Sequence, residues 1–540
     1  LECGSKAELV AAVALLSDPD DLLICNGYKD DAMLGLILDA QMLGQNVLPV
    51  IEKHTEFVHF HALATERGMT PRFGVRLRLN ASSAGHWADS SGDRSKFGVS
   101  MGQLFDIVQR LRAAAQTEAL ALVHCHLGSQ IPDIMTLSEG VRELAQVYVQ
   151  LVRESLAPSY LDIGGGLGVN YDAMVGGIGE ASINYTLQEY ADTVVSVVAE
   201  TCAQADVPVP TLVSESGRAM TAHHSVLVVP VLGAYGPARE NLVETDAGGH
   251  PAIDALTETL ALVEGPSDLS VRELLAAYHE AVARRRECQD GFRLGLVTLA
   301  QRARVDALFF SVCSAVYGRV HGDDPRVLPE ELVALGDLLA DQYLCDFSVF
   351  QSMLDHWAIG QRFPIMPLHR LDERPERRAV LVDLTCDSDG KVRDYVSHDA
   401  HASSMDVHAL RDGQTYYLGF FLMGAYQDIM GDAHNLFGRV AEIHVYADDE
   451  ETDGFYIETV LPGAKVRDML EQVQYFANDL ERRMSDIVRR RVNDGKLRPR
   501  EGVRMLDRYR DLFASSPYLA PAPGERAAVV PGADAVEGSA

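Results

Sequence analysis

Between residues 22 and 215, short apolar runs alternate with longer stretches whose apolar positions recur at helical spacing. The runs are LLICN at 22, VLPVI at 47, GVRLRL at 74, ALVHCHL at 121, SYLDIGGG at 159 and TLVSE at 211. The helical stretches include Met101–Ala115, Leu137–Glu154 and Leu187–Ala205. Strands that alternate with helices pair in parallel. Many such units in succession, with polar residues at the C-terminal strand ends, predict a (β/α)8 barrel. The first strong pattern is already a helix, Lys6–Leu16. The chain is therefore expected to open inside the barrel, a strand or two into its wall, and to leave exposed strand edges there.

From His223 the pattern changes. VLVVPV at 226 reads as a strand leaving the barrel, and about Asp254 to Tyr343 reads almost wholly helical, as in Val271–Arg286 and Arg302–Tyr317. Strand signals return after Phe347, in RAVLVDL at 378, TYYLGFF at 415, AEIHVYA at 441 and GFYIETV at 454, and predict an antiparallel β domain. Val466–Arg490 and Gly502–Phe513 read as arginine-rich amphipathic helices. The expected segments are a barrel over 1–230, a helical insertion over 231–345, a β domain over 346–465, a helical region over 466–518 and a disordered Ala-, Pro- and Gly-rich tail over 519–540.

Composition narrows the class. At 540 residues with 47% apolar content, the chain fits a globular protein of several domains. No apolar run approaches the roughly 18 residues that span a bilayer, and no signal peptide follows Leu1. A formal charge of −31 disfavours nucleic acid as a partner and would attract cationic small molecules over long range, although ordinary solubility explains the same charge. The eight cysteines form no C-x-x-C pair, which fits free thiols in a reducing cytoplasm.

Four segments carry candidate chemistry. LDIGGGLGVNY at 161 places glycines directly after a strand, where backbone N–H groups can close on a phosphate; a plain tight turn reads equally well, and the spacing is not G-x-G-x-x-G. In HCHLGSQ at 124, His124 and His126 share one strand face, as a metal pair without a nearby third ligand or as structural residues, and Ser129 can donate to a phosphate or carboxylate. In SESGRAM at 214, Glu215 and Arg218 can reach two ends of an anionic heteroaromatic ligand, or form a surface ion pair. CDSDG at 386 has a calcium-like look without the remaining EF-hand ligands.

Taken in order, HLGSQ, DIGGG, ESGR, CDSDG and MGAY at 423 resemble the fold-type III pyridoxal-phosphate decarboxylases. The resemblance is most specific to the biosynthetic arginine decarboxylases. It is carried by GSKAEL at 4, ICNGYKD at 24, SKFG at 95, YLDIGGGLGVNYD at 160, SESGRAMTAHH at 214, FSVFQSMLDHWAIGQRFPIMPL at 347, LTCDSDG at 384 and LGFFLMGAYQDIMGDAHNLFG at 418, and covers about residues 1 to 518. It implies an α/β plus β architecture: an alanine-racemase-like (β/α)8 TIM barrel, incomplete at its N-terminus, with a helical insertion and a C-terminal antiparallel β domain.

The resemblance also implies roles. His126 would lie against the pyridine ring of pyridoxal phosphate, and Glu215 would keep the ring nitrogen protonated. Ser129, Gly164, Gly165, Gly166, Arg218 and Tyr426 would hold the phosphate. Substrate would be met along Leu161, Asp162, Ile163, Gly164, Gly165, Gly166, Leu167, Gly168, Val169, Asn170 and Tyr171. Cys386 would return a proton to the substrate, and Asp387 would bind its distal cationic group; both are expected to reach the barrel site of a neighbouring subunit. The implied reaction converts L-arginine to agmatine and carbon dioxide in polyamine synthesis, by a homodimer, with a tetramer left open. A magnesium requirement is implied without a site. The family anchors its cofactor through a lysine upstream of the segment matching Leu1–Glu8; Lys6 and Lys29 do not stand there, so the chain as it stands is expected to be inactive. Two alternatives are a non-catalytic regulatory partner and a decarboxylase of another basic amino acid.

Overall fold

A computed structural model describes residues 1–79, 95–172, 181–236, 249–320, 327–397 and 402–519. Residues 520–540 of the expected tail lie outside the described residues. The chain divides into two units, Leu1–Ser225 and Val226–Ala540.

The first unit is a parallel sheet of seven strands in sequential order: β1 (Glu2–Cys3), β2 (Leu22–Cys25), β3 (Asn46–Ile51), β4 (Phe73–Arg76), β5 (Leu120–His124), β6 (Tyr160–Asp162) and β7 (Thr211–Val213). Helices α1 (Lys6–Leu15), α2 (Asp31–Met42), α3 (His54–Glu66), α4 (Met101–Ala113), α5 (Ile134–Arg153) and α6 (Leu187–Ala205) connect them, and α7 (Gly217–Thr221) follows β7. The sheet curls. In a flat sheet β2 and β7, five places apart, would be separated by about 24 Å. Here Asn26, just after β2, donates from Nδ2 to Glu215 Oε1, just after β7, at 2.7 Å. One side of the wall buries Ile24, Leu48, Val50 and Leu122 in one cluster, while Leu23, Val47, Ile51, Phe73 and Val75 join the larger core with the helices. Both faces are covered, so the strands read as continuous apolar runs. Ser100 and Thr186 begin α4 and α6 with reciprocal capping boxes to Gln103 and Glu189.

One early expectation needs correction. The chain does not open on a helix, because Glu2–Cys3 pairs in parallel with Ile24–Cys25. Two residues are too few to show an alternating pattern, so only the pairing reveals this strand.

The second unit holds a six-stranded sheet in the order β10 (Ile365–Pro367), β13 (Tyr416–Phe420), β8 (Leu227–Tyr235), β9 (Asp341–Cys345), β11 (Arg377–Val382), β12 (Met405–Val407), and a separate hairpin of β14 (Glu442–Ala447) and β15 (Phe455–Leu461). Helices α8 (Pro251–Glu264), α9 (Val271–Arg293) and α10 (Leu299–Val320) pack around Leu256, Leu274, Val305, Phe309 and Val312. The expected helical segment 231–345 therefore carries most of β8 and all of β9, which are neighbours in the sheet. Asp341–Cys345 was hidden by the Leu-rich helical run before it, but its burial alternates as a strand's does. The sheet is not wholly antiparallel, since β9 and β11 run in parallel. The single helix expected over Val466–Arg490 is two, Val466–Gln472 and Ala477–Asn493. Gln474 between them takes a left-handed φ of 65°, which an α-helix cannot contain.

Candidate active site

In a parallel barrel the C-terminal strand ends face one mouth, where loops can carry chemistry without disturbing the wall. The first unit gathers Asn26, Glu52, Arg76, His124, His126, Asp162, Gly164, Gly165, Gly166, Glu215 and Arg218 at or just beyond those ends.

The glycine loop after β6 requires its glycines. Gly164 has φ +70°, and a Cβ there would stand 2.2 Å from the Cys125 carbonyl oxygen; Gly166 has φ +105°, and its Cβ would meet Ile131 Cδ1 at 2.5 Å. Asp162 Oδ1 accepts the Gly164 N–H at 2.9 Å. The loop after β5 holds the rest. Gln130 accepts from Val169 N at 2.9 Å and donates to its carbonyl at 2.6 Å, and Ile131 N donates to the Gly166 carbonyl at 2.9 Å.

His126 faces this loop, and its Nδ1 accepts the Gly165 N–H at 3.3 Å. Burial, with Arg76 and His124 nearby, pulls the His126 imidazole down to about 3, so the ring is neutral. A Cβ on Gly165 would lie 3.2 Å from His126 Cε1, so a side chain there would crowd the ring. Arg218 is buried, donating to Ser129 Oγ at 3.1 and 3.3 Å and to Tyr171 Oη at 3.0 Å. Burial pushes the Glu215 carboxyl up to about 7, with His124 opposing and Asp162 adding to the rise.

The expected residues therefore separate into groups. His126, Ser129, Gly164, Gly165, Gly166, Glu215 and Arg218 converge at the mouth. Leu161, Ile163 and Leu167 point into the hydrophobic core, Val169 is buried, Gly168 donates its N–H to Tyr185 Oη at 3.2 Å, and Asn170 is half-buried. Asp162 is fully buried, its carboxylate occupied by Gly164 and by His124 Nδ1 at 2.8 Å. Cys386, Asp387 and Tyr426 belong to the second unit, where Cys386 and Asp387 are exposed in the turn after β11. Asn26, Glu52 and Arg76 were missed as individual residues. Their signal was a polar side chain directly after, or closing, an apolar run.

Lys29 has a structural role. Its ammonium is fully buried and donates to the Gly27 carbonyl at 2.6 Å, the Val50 carbonyl at 2.7 Å and Glu56 Oε1 at 3.0 Å. Lys29→Met should cost about 3–5 kcal/mol, the scale for breaking one side of a buried ion pair. Denaturant titration reads this directly, and an unchanged midpoint would contradict it.

A glycine cradle that side chains would fill, a buried guanidinium beside a serine hydroxyl, a neutral imidazole and a half-buried carboxyl fit the phosphate, face and ring nitrogen of pyridoxal phosphate. Together they form a candidate pyridoxal-phosphate site at the C-terminal edge of a curled parallel sheet. Residues 1–222 match the family described as pyridoxal-dependent decarboxylase, pyridoxal binding domain. Residues 247–333 match the arginine decarboxylase helical bundle domain, and residues 466–519 the arginine decarboxylase C-terminal helical extension. The biosynthetic arginine decarboxylase of Deinococcus radiodurans is 41% identical over 96% of this chain and 77% of its own length; that of Phocaeicola vulgatus is 39% identical over 96% and 81%. The crystal structure of the Campylobacter jejuni biosynthetic arginine decarboxylase superposes with a TM-score of 0.80 at 29% identity, over 96% of this chain and 82% of that one. Diaminopimelate decarboxylase of Helicobacter pylori shares the fold, with a TM-score of 0.53 at 15% identity. The chain belongs to the biosynthetic arginine decarboxylase family. Among the described residues, no helix is long and apolar enough to cross a membrane.

Proposed function

We propose that this protein decarboxylates L-arginine to agmatine and carbon dioxide for polyamine synthesis, in the cytoplasm, as a homodimer. The observation that carries the reading is the convergence of His126, Glu215, Arg218 and the glycine loop at one barrel mouth. Arg218, Ser129 and the backbone of Gly164, Gly165 and Gly166 hold the phosphate. His126 lies against the ring, and Glu215 holds the ring nitrogen. When bound, the cofactor supplies an electron-withdrawing ring that takes up the electron pair left by departing carbon dioxide. Cys386 returns a proton to the substrate α-carbon, Asp387 pairs with the guanidinium, and Tyr426 adds a phosphate contact; these three complete the barrel site of the second copy. The formal charge of −31 favours approach of a cationic substrate.

The one group of three side chains suited to a metal ion among the described residues is His124, Asp162 and Glu215. It does not fit magnesium: it includes an imidazole, and its carboxylates are already taken up by Asn26, Gly164 and His124, whereas magnesium demands an octahedron of oxygens.

The test is carbon dioxide release by the protein expressed from its own gene, supplied with pyridoxal phosphate. L-Arginine should exceed L-ornithine and L-lysine in kcat/KM by on the order of 10⁴-fold, as expected of a site that hydrogen-bonds a particular head group. Faster turnover of either competitor would overturn the assignment.

A further inference from the structure

We propose that His124 is a positioning residue: held between the carboxylates of Asp162 and Glu215, it favours the ionised form of Glu215, and through Glu215 it sets the protonation of the pyridine nitrogen of bound cofactor. This rests on the reading of Glu215 given above.

The arrangement follows from strand register. His124 closes β5 and lies in register with Asp162, which closes β6; Asp162 lies in register with Val213, two residues before Glu215. Parallel neighbours thus present three polar side chains side by side, with His124 1% and Asp162 0% exposed. The Gly164 N–H takes Asp162 Oδ1, which leaves Oδ2 for His124 Nδ1 at 2.8 Å. That bond fixes a proton on Nδ1 and turns Nε2 toward Glu215, whose Oε2 lies 4.0 Å away. Glu215 Oε1 is fixed separately by Asn26 Nδ2 at 2.7 Å. One imidazole is therefore clamped on one side and faces the functional carboxylate on the other.

The charges explain why a cation is needed. Around Glu215 stand His124 from β5, Asp162 from β6 and Glu2 from β1. Around His124 stand Asp162, Glu215 and, opposing its charge, Arg76 from β4. Burial works against an imidazolium at His124, but the two carboxylates outweigh it and raise its pKa. Without that cation Glu215 keeps its burial and two acidic neighbours, and its carboxyl rises above the value of about 7 that it has beside His124, so it holds its proton through neutrality. A protonated carboxyl brings no negative charge to the ring nitrogen and offers it an O–H donor, so a proton on that nitrogen is no longer favoured. The sequence shows His124 only as one of two alternating histidines, and no role in the proposed function uses it.

The experiment uses the protein expressed from its own gene, loaded with pyridoxal phosphate labelled with ¹⁵N in the ring. The ring-nitrogen shift is followed from about pH 6 to about pH 9, together with the cofactor Kd, for wild type, His124→Gln, Asp162→Asn and Glu215→Gln. Wild type should keep its ring proton above about pH 7, where Glu215 is ionised. Glu215→Gln should lose it throughout. In His124→Gln the ring proton should be missing until Glu215 ionises, at a pH at least about one unit higher than in wild type, with Kd weakened on the order of 10-fold, the equivalent of one unit. Asp162→Asn keeps the imidazole and an acceptor for Gly164; it removes the charge that holds a proton on His124 and also one that raises Glu215, and because His124 acts on Glu215 more strongly than Asp162 does, the ring nitrogen should move in the same direction, by less, even if the His124 variant does not fold. Loss in Glu215→Gln with wild-type behaviour in both Asp162→Asn and any folded His124→Gln would overturn this inference alone. A wild-type ring nitrogen in Glu215→Gln would overturn the reading of Glu215 itself.

Discussion

Cys386→Ala should cut agmatine formation by on the order of 10²–10⁴, the scale of a lost general acid, while pyridoxal-phosphate binding is retained. Cys386 is the one exposed thiol of eight, and all eight are unpaired. The turn that presents it is braced without help from its sulfur. Its backbone N–H donates to Asn435 Oδ1 at 3.0 Å, and the Gly390 N–H closes on the Asp387 carbonyl at 3.0 Å. Just before it, Asp383 accepts from Val349 N and Thr385 N, each at 2.8 Å. Alanine should therefore remove the proton donor and leave the turn in place. A placed thiol favours protonation at the α-carbon by proximity, so without it carbon dioxide release should exceed agmatine formation. Equal yields at an undiminished rate would remove Cys386 from the mechanism. Asp387→Ala should chiefly raise KM, because a guanidinium partner acts in ground and transition states alike.

Arg218→Ala should weaken pyridoxal-phosphate binding by roughly 10²–10⁴, the sum of two charge-assisted hydrogen bonds at about 1.5–3 kcal/mol each. The guanidinium is buried and held by Ser129 and Tyr171, so its direction is set before any anion arrives. Arg218→Lys keeps the charge but not the planar fork, and should recover only part of the loss. Equilibrium dialysis against the cofactor measures both. An unchanged Kd in Arg218→Ala would place the phosphate elsewhere. Mixing the Arg218→Ala and Cys386→Ala proteins then tests the shared site. With full exchange, half the dimers are hybrids with one intact site of two, so about a quarter of wild-type activity should return. No recovery after demonstrated exchange would show that Cys386 does not complete a partner's site.

Several parts of this protein were legible because they are local. Alternating apolar runs and helical stretches specify parallel strands, and the positive φ of Gly164 and Gly166 explains a glycine run at a strand end. The Glu215–Arg218 spacing put both groups on one short segment after β7. Other parts were not legible. β1 is too short for periodicity, β9 follows a helical run without a break, and Lys29 looked like any lysine after a strand although three acceptors enclose it.

The sequence alone thus determined the order of elements, the glycine loop and the kinds of side chain at the strand ends. Tertiary structure alone decided which of them meet. His124 and Asp162 lie 38 residues apart, and Asn26 and Glu215 lie 189 apart. Periodicity fixes which way a side chain faces, over one turn or one pleat, and carries nothing about distant partners. The first contact exists because β5 and β6 are parallel neighbours in register, the second because the sheet curls until the ends of β2 and β7 come within a hydrogen bond.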